Sequence, residues 1–191
     1  MAWLQPAVVA RPADDPLTVA EAKQHCNVLE SDFDALFLGY VSAAARRVEI
    51  YCGLRLVTQT VILRASRWRD LESLPVAPLQ AVAGIDYLDT SGALQTLDAE
   101  AYEAVAAGLD AAVRPAFGRA WPSAWNVADA IRVTARVGYG GRAEIPADLR
   151  HAMLLLAGDF FKQREETITG TIVSTLPTGV AALLEPYRRF G

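Results

Sequence analysis

Few residues in this chain could carry out covalent or proton-transfer chemistry. The sequence has two histidines, His25 and His151, and two cysteines, Cys26 and Cys52. Nucleophilic catalysis needs a serine or cysteine together with a base and an orienting acid, and no serine lies in a G-x-S-x-G motif. His25 and Cys26 are adjacent in a predicted helix, where neighbouring side chains point in different directions. We therefore predict no catalytic residues and a protein that is not an enzyme.

The sequence also lacks the spacings that mark metal and cofactor sites. No C-x-x-C or H-E-x-x-H pattern occurs, and the acidic pairs Asp14-Asp15 and Glu165-Glu166 lie in predicted loops without a ligand pattern. The run Gly138-Tyr139-Gly140-Gly141 precedes a helix. It has neither the Lys-Ser/Thr of a P-loop nor the G-x-G-x-x-G spacing of a dinucleotide fold. We predict no metal and no cofactor, and we interpret the glycine run as a strand-to-helix turn.

The composition narrows the class of protein. The chain has 191 residues, a net charge of −4 and 52% hydrophobic residues, which fits one compact domain or a core with an inserted lobe. The acidic balance gives no general attraction to nucleic acid. The apolar content suggests surface that is buried between subunits. Two cysteines are too few for a disulfide framework and indicate reduced thiols. No signal peptide or membrane-spanning segment is predicted.

Helices are predicted at both ends of the chain. Thr18 and Glu21 have the spacing of a capping box for a helix over residues 19–26, and Ser31 is the predicted N-cap of a second helix. That helix carries an apolar stripe from Phe33 to Tyr51 and stops at Gly53. A third helix follows Pro146, where proline favours a first turn. A last, short helix is predicted to end near residue 184, because the residue before proline disfavours helix.

The middle of the sequence changes to a period of two. Val57, Val61 and Leu63 lie on one side of a predicted strand, and the other side carries Leu56, Thr58, Thr60 and Ile62. This pattern predicts a strand that is buried on both faces or lies between subunits. Residues 82–88 and 93–97 form a predicted hairpin around 89–92. Shorter strands are predicted over 101–105 and 111–116, and the clearest alternation runs from Ile131 to Tyr139. The fold class is therefore α+β, a helical core with an inserted β-rich lobe.

The predicted boundaries follow from these changes of pattern. Residues 1–16 form an extended N-terminal arm, 17–54 the first part of the helical core and 55–140 the β-rich lobe. Residues 141–166 form the second part of the helical core, and 167–191 a mobile linker with a C-terminal segment. The last helix is too short to be stable alone in water, so we expect this segment to dock on another surface.

Two clusters combine arginine with aromatic residues. The first contains Arg64, Arg67, Trp68 and Arg69, and the second contains Arg119, Trp121 and Trp125. Nucleic-acid binding uses such residues to contact phosphates and to stack on bases, but tryptophan and arginine are also enriched at protein interfaces. The net acidity favours a protein interface. A small nucleic-acid-associated protein that uses the first cluster stays the alternative.

The order of segments resembles a known family. PLTVAEAKQHCNV is followed by a helix ending VEIYCG, by LPVAPLQAVAGIDYLDTSGALQTL, and by AYEAV, RPAFGRAWP and IRVTARVGYG. IPADLRHAMLLLAGDFFKQRE and LPTGVAALLEPYRR complete the series. This series, from about Pro16 to Arg189, resembles the head–tail connector (adaptor) proteins of tailed bacteriophages and gene transfer agents.

The resemblance implies a structural role in a virion. Such proteins form a ring, usually twelvefold, beneath the portal protein, and they present a surface to a stopper or tail-completion protein. The ring extends a channel through which DNA passes without specific binding. The implied location is the head–tail junction of a particle assembled in the host cytoplasm, with no membrane partner. The implied fold is a small helical bundle with a β-rich insertion and an extended C-terminal docking tail.

The resemblance also suggests where contacts are made. The C-terminal segment is expected to contact the portal protein, with residues 165–175 as a hinge that lets it order on assembly. The predicted portal contacts are Val180, Leu183, Leu184, Tyr187 and Arg188. The predicted contacts between ring subunits are Leu154, Leu155, Phe161 and Trp68.

Overall fold

The chain folds as two compact units, each assembled from separate stretches of sequence. The structure, a computed structural model, describes residues 3–10, 12–163 and 176–189. The first unit, here called the β unit, comprises residues 1–13, 53–139 and 190–191. The second, the helical unit, comprises residues 14–52 and 140–189. The boundaries at 52/53 and 139/140 fall where the sequence changes from helical periodicity to alternation and back.

The described residues of the β unit form seven strands in two antiparallel sheets. In chain order they are β1 (Ala7–Ala10), β2 (Gln59–Ala65), β3 (Leu79–Leu88), β4 (Leu94–Thr96), β5 (Tyr102–Ala107), β6 (Asp110–Pro115) and β7 (Ile131–Val137). The larger sheet has the order β1-β2-β7-β3-β4, and β5 pairs with β6. The predicted hairpin is confirmed, because Leu88 pairs with Leu94 and Asp86 with Thr96.

One face of the larger sheet forms the core of the β unit. Val61, Leu63 and Ala65 of β2 are fully buried, as are Ile131, Val133, Ala135 and Val137 of β7. The intervening residues Thr60, Ile62 and Arg64 of β2 are only half-buried. The expectation that this strand is buried on both faces is therefore wrong within the chain. The opposite face of β2 is lined by polar neighbours such as Thr134.

Part of the predicted extended N-terminal arm is paired with the β unit. Residues 7–10 form strand β1, which pairs with β2 through Ala7–Ile62 and Val8–Val61. The reason is that β2 would otherwise be an edge strand with unpaired backbone groups. Sequence patterning missed this strand because prolines at positions 6, 12 and 16 flank it and its side chains are mostly exposed.

Four α-helices lie in the described residues of the helical unit. They are α1 (Val19–His25), α2 (Asp34–Cys52), α3 (Ala147–Gln163) and α4 (Thr178–Leu184). The capping box at the start of α1 is confirmed, with the Thr18 side chain accepting from the Glu21 backbone and Glu21 accepting from the Thr18 backbone. The end of α4 at Leu184 is also confirmed. No described helix has both the length and the apolar character needed to cross a membrane.

The start of the second helix differs from the prediction. Ser31 is not an N-cap: it opens a 3₁₀ turn, Ser31–Phe33, that leads into α2, and Glu30 precedes this turn without a capping side-chain hydrogen bond. The apolar stripe of α2 buries Phe37, Val41, Ala44, Val48 and Cys52, whereas Leu36 is exposed. The buried stripe of α2 is therefore narrower than the apolar stripe in its sequence, because Leu36 lies outside it. The predicted hinge at 165–175 lies outside the described residues.

Candidate functional site

The predicted interface residue Trp68 is engaged inside the β unit. Its ring stacks on Trp121 with centroids 4.6 Å apart and planes 6° apart. Its Nε1 donates a hydrogen bond of 2.7 Å to the Pro122 carbonyl, and Tyr87 lies against it at 5.4 Å. Its aromatic faces are therefore occupied by its own chain. Its assignment to a subunit contact stays a prediction, and its ring is not free to stack on a base.

The other members of the first cluster do not converge on one site. Arg64 lies on β2, and its Nε is 3.7 Å from Oδ1 of Asp129. Asp129 also pairs with Arg132 at 3.1 Å. Arg67 and Arg69 are exposed in and beside the 3₁₀ helix Trp68–Glu72. The cluster is thus one ion-paired arginine and two solvated ones, and not a continuous basic strip.

The predicted portal-contact residues lie in a segment that packs on its own helical unit. Val180 and Leu184 are buried, with 1% and 0% of their surface exposed, while Leu183, Tyr187 and Arg188 are half-buried. In this conformation Val180 and Leu184 are covered by their own chain, and their assignment as portal contacts stays a prediction. They are core residues because the short helix α4 buries its apolar side against α3.

Polar contacts hold the end of this segment. The Cys52 thiol approaches the Leu184 carbonyl at 3.9 Å, and the Arg189 backbone N–H donates to the Cys52 carbonyl at 3.1 Å. The Tyr187 hydroxyl donates to Asp148 at 3.3 Å, and the Arg188 guanidinium lies 4.9 Å above the Tyr51 ring. Burial raises the pKa of the Cys52 thiol to about 11. Burial and the neighbouring Asp148 carboxylate also raise the pKa of Tyr187.

The residues predicted to contact other subunits through α3 are half-buried. Phe161 packs on Phe37, with ring centroids 5.0 Å apart, and meets Phe33 edge-on at 6.0 Å. Leu154 and Leu155 retain partial exposure. Phe161 therefore contributes packing within the helical unit, and a contact between copies through Leu154, Leu155 and Phe161 stays a prediction.

The two histidines meet without forming a catalytic arrangement. The rings of His25 and His151 are 6.2 Å apart in an edge-to-face orientation, and both residues are exposed. Among residues 3–10, 12–163 and 176–189, no group of three or more His, Cys, Asp or Glu side chains could hold a metal ion.

One surface feature that the sequence reasoning missed is a turn that exposes an aromatic ring. Phe117 has 101% of its reference surface exposed. It lies in a turn closed by a 2.9 Å hydrogen bond from the Arg119 N–H to the Ala116 carbonyl. Gly118 occupies the position that needs a positive φ, with φ at +72°. The signal in the sequence was the Phe-Gly pair after a predicted strand.

A second such feature is a groove beside α1, here called the α1 groove. Its volume is about 650 Å³, and its lining includes Val19, Lys23, Val28, Leu29 and Asp34. The wall after α1 is fixed by a Schellman motif. Asn27 takes a positive φ of 58°, and hydrogen bonds run from Val28 N–H to the Lys23 carbonyl at 3.0 Å and from Asn27 N–H to the Gln24 carbonyl at 3.1 Å.

Comparisons with known proteins were made on sequence and on fold. No protein-family model matches the sequence, and no curated protein matches it significantly. Solved structures match over 98% of this chain and 97% of the matched chain. The fold is that of a chain in gene transfer agent particles.

Three structures carry this likeness. One is the virion of a native gene transfer agent particle, with a TM-score of 0.78 and 24% identity. Another is the neck of an empty particle computed with C6 symmetry, at 0.76 and 25%. The third is the neck of a native particle computed with C12 symmetry, at 0.72 and 23%. The predicted α+β class is confirmed, and the predicted resemblance is confirmed at the level of a neck-protein fold.

Proposed function

We propose that this protein is a structural subunit of a ring at the head–tail neck of a gene transfer agent or tailed-phage particle. The supporting observation is the likeness of the whole chain, in fold, to chains in neck structures computed with C6 and C12 symmetry. Cyclic symmetry means that each copy contacts its neighbour in the same way until the ring closes. A twelvefold ring is the state we propose.

Within the neck, the ring lies between the portal protein and a stopper or tail-completion protein. Of the five predicted portal contacts, Leu183, Tyr187 and Arg188 retain exposed surface in this conformation, so the portal contact is proposed for these three. The channel admits DNA without specific binding, in keeping with the net charge of −4. The role is binding and assembly, with no reaction.

The alternative of a nucleic-acid-associated protein has less support. Trp68 is stacked on Trp121, and Arg64 lies beside Asp129. Stacking platforms for single strands need exposed aromatic faces next to free cations. The first cluster lacks that combination.

Light scattering tests the proposal, with the purified protein measured alone and mixed with the portal protein of the same particle. We expect a ring-sized mass, either alone or only in the presence of the portal protein. A monomer whose mass does not change at high concentration or with the portal protein would contradict the proposal.

A variant tests the portal contact itself. Leu183→Asp should weaken portal binding, whereas Ala182→Asp adds the same charge at the exposed neighbouring position and should not. Leu184→Asp is unsuitable, because Leu184 has 0% exposure and a buried charge would unfold the helical unit. If both variants bind the portal protein like the wild type, the contact lies elsewhere.

A further inference from the structure

The two most exposed large apolar side chains of the described residues are Phe117, at 101%, and Leu29, at 88%. One lies on the turn of the β unit, and the other lines the α1 groove of the helical unit. Isolated exposed apolar residues are common, but a fully exposed phenylalanine on a fixed turn has the character of an anchor for a partner's pocket. The question is which surface receives it.

The turn that carries Phe117 is held at both ends. Before it, the Ala116 N–H donates to the Ala101 carbonyl at 3.0 Å, which continues the β5–β6 pairing. After it, Trp121 stacks on Trp68, and Trp68 donates to the Pro122 carbonyl. The ring is therefore presented by a backbone that is ordered before binding, and less conformational entropy is lost on association.

The α1 groove suits an aromatic ring on one side and a cation on the other. Val19, Val28 and Leu29 supply its apolar surface. Lys23 is nearly buried and pairs with Asp34 at 2.5 Å, while the Asp34 side chain is 57% exposed. Glu30 and Asp32, which are exposed, follow Leu29 in the chain. The groove thus holds the Lys23–Asp34 ion pair in its lining, and the chain that leaves it carries two further exposed carboxylates, Glu30 and Asp32.

The turn carries the complementary charge. Arg119 lies two residues after Phe117 and is exposed, and no ion pair engages it within the described part of the chain. An arginine beside an aromatic anchor matches a groove that is apolar in its lining and acidic at its edge. The two surfaces are different from each other, as a head-to-tail contact in a closed ring requires.

We propose that the Phe117 turn of one copy docks in the α1 groove of the neighbouring copy, with Arg119 facing Glu30, Asp32 and Asp34. The occupant of the groove is thus a second copy of this chain. The inference rests on the proposed ring and adds the contact that joins its subunits.

A photo-cross-linker at position 117 tests the contact. With p-benzoylphenylalanine in place of Phe117, irradiation of the assembled ring should link two copies. Trypsin should then yield residue 117 joined to the peptide from Gln24 to Arg46, which contains Val28 through Asp34. The same amino acid in place of Trp125, another exposed aromatic of the β unit, is the control and should not label that peptide.

Two surface variants give an independent measurement. Phe117→Ser should weaken association of copies by about tenfold or more, whereas Leu94→Ser removes an exposed leucine from the same unit and should not. Arg119→Glu should also weaken association, and adding Glu30→Arg should restore it. Circular dichroism checks that every variant is folded.

The outcomes separate this contact from the ring itself. Light scattering could show a ring while position 117 cross-links to another segment or to nothing. That result would overturn the proposed contact but not the proposed ring. If the Phe117→Ser and Arg119→Glu variants both associate as strongly as the wild type, the proposed contact is also overturned. No ring under any condition, with or without the portal protein, would overturn both the contact and the proposed function.

Discussion

At the scale of single residues, the carboxylate of Asp89 organises the β3–β4 hairpin. Its Oδ1 accepts hydrogen bonds from the Ser91 N–H at 2.8 Å, the Ser91 hydroxyl at 2.6 Å and the Ala93 N–H at 3.1 Å. Its Oδ2 accepts from Gln95 at 2.9 Å. The Ser91 and Gln95 side chains, with the backbone donors, lower the pKa of Asp89 from 3.8 to about 2. All four donors favour the ionised form.

Asp89→Asn tests this arrangement through its pH dependence. A depressed folded-state pKa stabilises the fold above pH 3.8, and that stabilisation disappears as the pH falls through about 2. We expect a lower melting temperature than wild type at pH 7 and a difference that narrows from pH 4 towards pH 2. Melting curves followed by circular dichroism at a series of pH values measure it. Asp110→Asn, at the first residue of β6, is the control, and a difference that does not change with pH would contradict the prediction.

Gly138 is fixed by backbone that has no room for a side chain. Its φ is +118°, and an added Cβ would lie 2.6 Å from the Val57 carbonyl carbon and oxygen. Its N–H donates to the Pro78 carbonyl at 2.9 Å, and its carbonyl accepts from Gln80 at 2.8 Å. The backbone immediately after β7 therefore depends on glycine at this position.

We expect Gly138→Ala to lower the free energy of unfolding by about 2 kcal/mol or more, because strain and backbone overlap act together. Gly84→Ala is the matched control, since nothing lies within 4 Å of its added Cβ, and it should change stability by less than about 1 kcal/mol. Urea denaturation measures both. Equal stability of the two variants would show that the backbone at 138 relaxes freely.

At the scale of elements, the C-terminal helix α4 shows how a short helix is stabilised by packing. Its seven residues, Thr178–Leu184, are too few for an isolated helix. It is held by the burial of Val180 and Leu184 and by the contacts of Cys52, Tyr51 and Asp148 with the residues around Leu184–Arg189. The segment is therefore part of the helical unit in this conformation.

Leu184→Ala should lower the free energy of unfolding by about 2–5 kcal/mol, because it removes a fully buried side chain and leaves a cavity. Ala182→Ser, on the exposed side of α4, should change it by no more than about 0.5 kcal/mol. Denaturant titration gives these values. In parallel, Cys52 should react faster with a thiol reagent in Leu184→Ala, because loosening the segment exposes the thiol and removes the burial that raises its pKa. Wild-type stability and reactivity in Leu184→Ala would mean that the segment is not packed as described.

At the scale of the whole molecule, charge and surface chemistry point to protein partners. The net charge is −4, while apolar side chains such as Val9, Leu29, Ile50 and Phe117 are largely exposed. Such side chains are available for contacts with other protein surfaces. A ring subunit covers such surface on both sides, once for each neighbour.

We expect the protein to bind short duplex DNA weakly, with no steep dependence on salt. Each phosphate neutralised by a protein cation contributes nearly one unit to the slope of log K against log salt concentration, and the arginines of the first cluster do not form a strip. Fluorescence anisotropy of labelled DNA at low and at moderate salt measures this. Tight binding at low salt with a steep slope would instead favour the nucleic-acid alternative.

Several features followed from the sequence alone because their causes are local. The capping box of Thr18 and Glu21 involves residues three apart. The hairpin turn at Asp89–Gly92 is set by an aspartate and a glycine within it. The alternation of β7 and the end of α4 before Pro186 are likewise written in neighbouring residues. From these the α+β class and a helical core interrupted by a β-rich lobe could be predicted.

The candidate contact surfaces were decided by tertiary structure. Trp68 is occupied by Trp121 and Pro122, more than 50 residues away, and Leu184 is buried beside Cys52, 132 residues away. β1 forms because the edge of β2 is open to it, which no pattern in residues 7–10 reveals. Local patterns fix which side chains are apolar, but which of them stay exposed depends on partners that are distant in sequence. That is why Val180 and Leu184 became core residues while Phe117 was left on the surface.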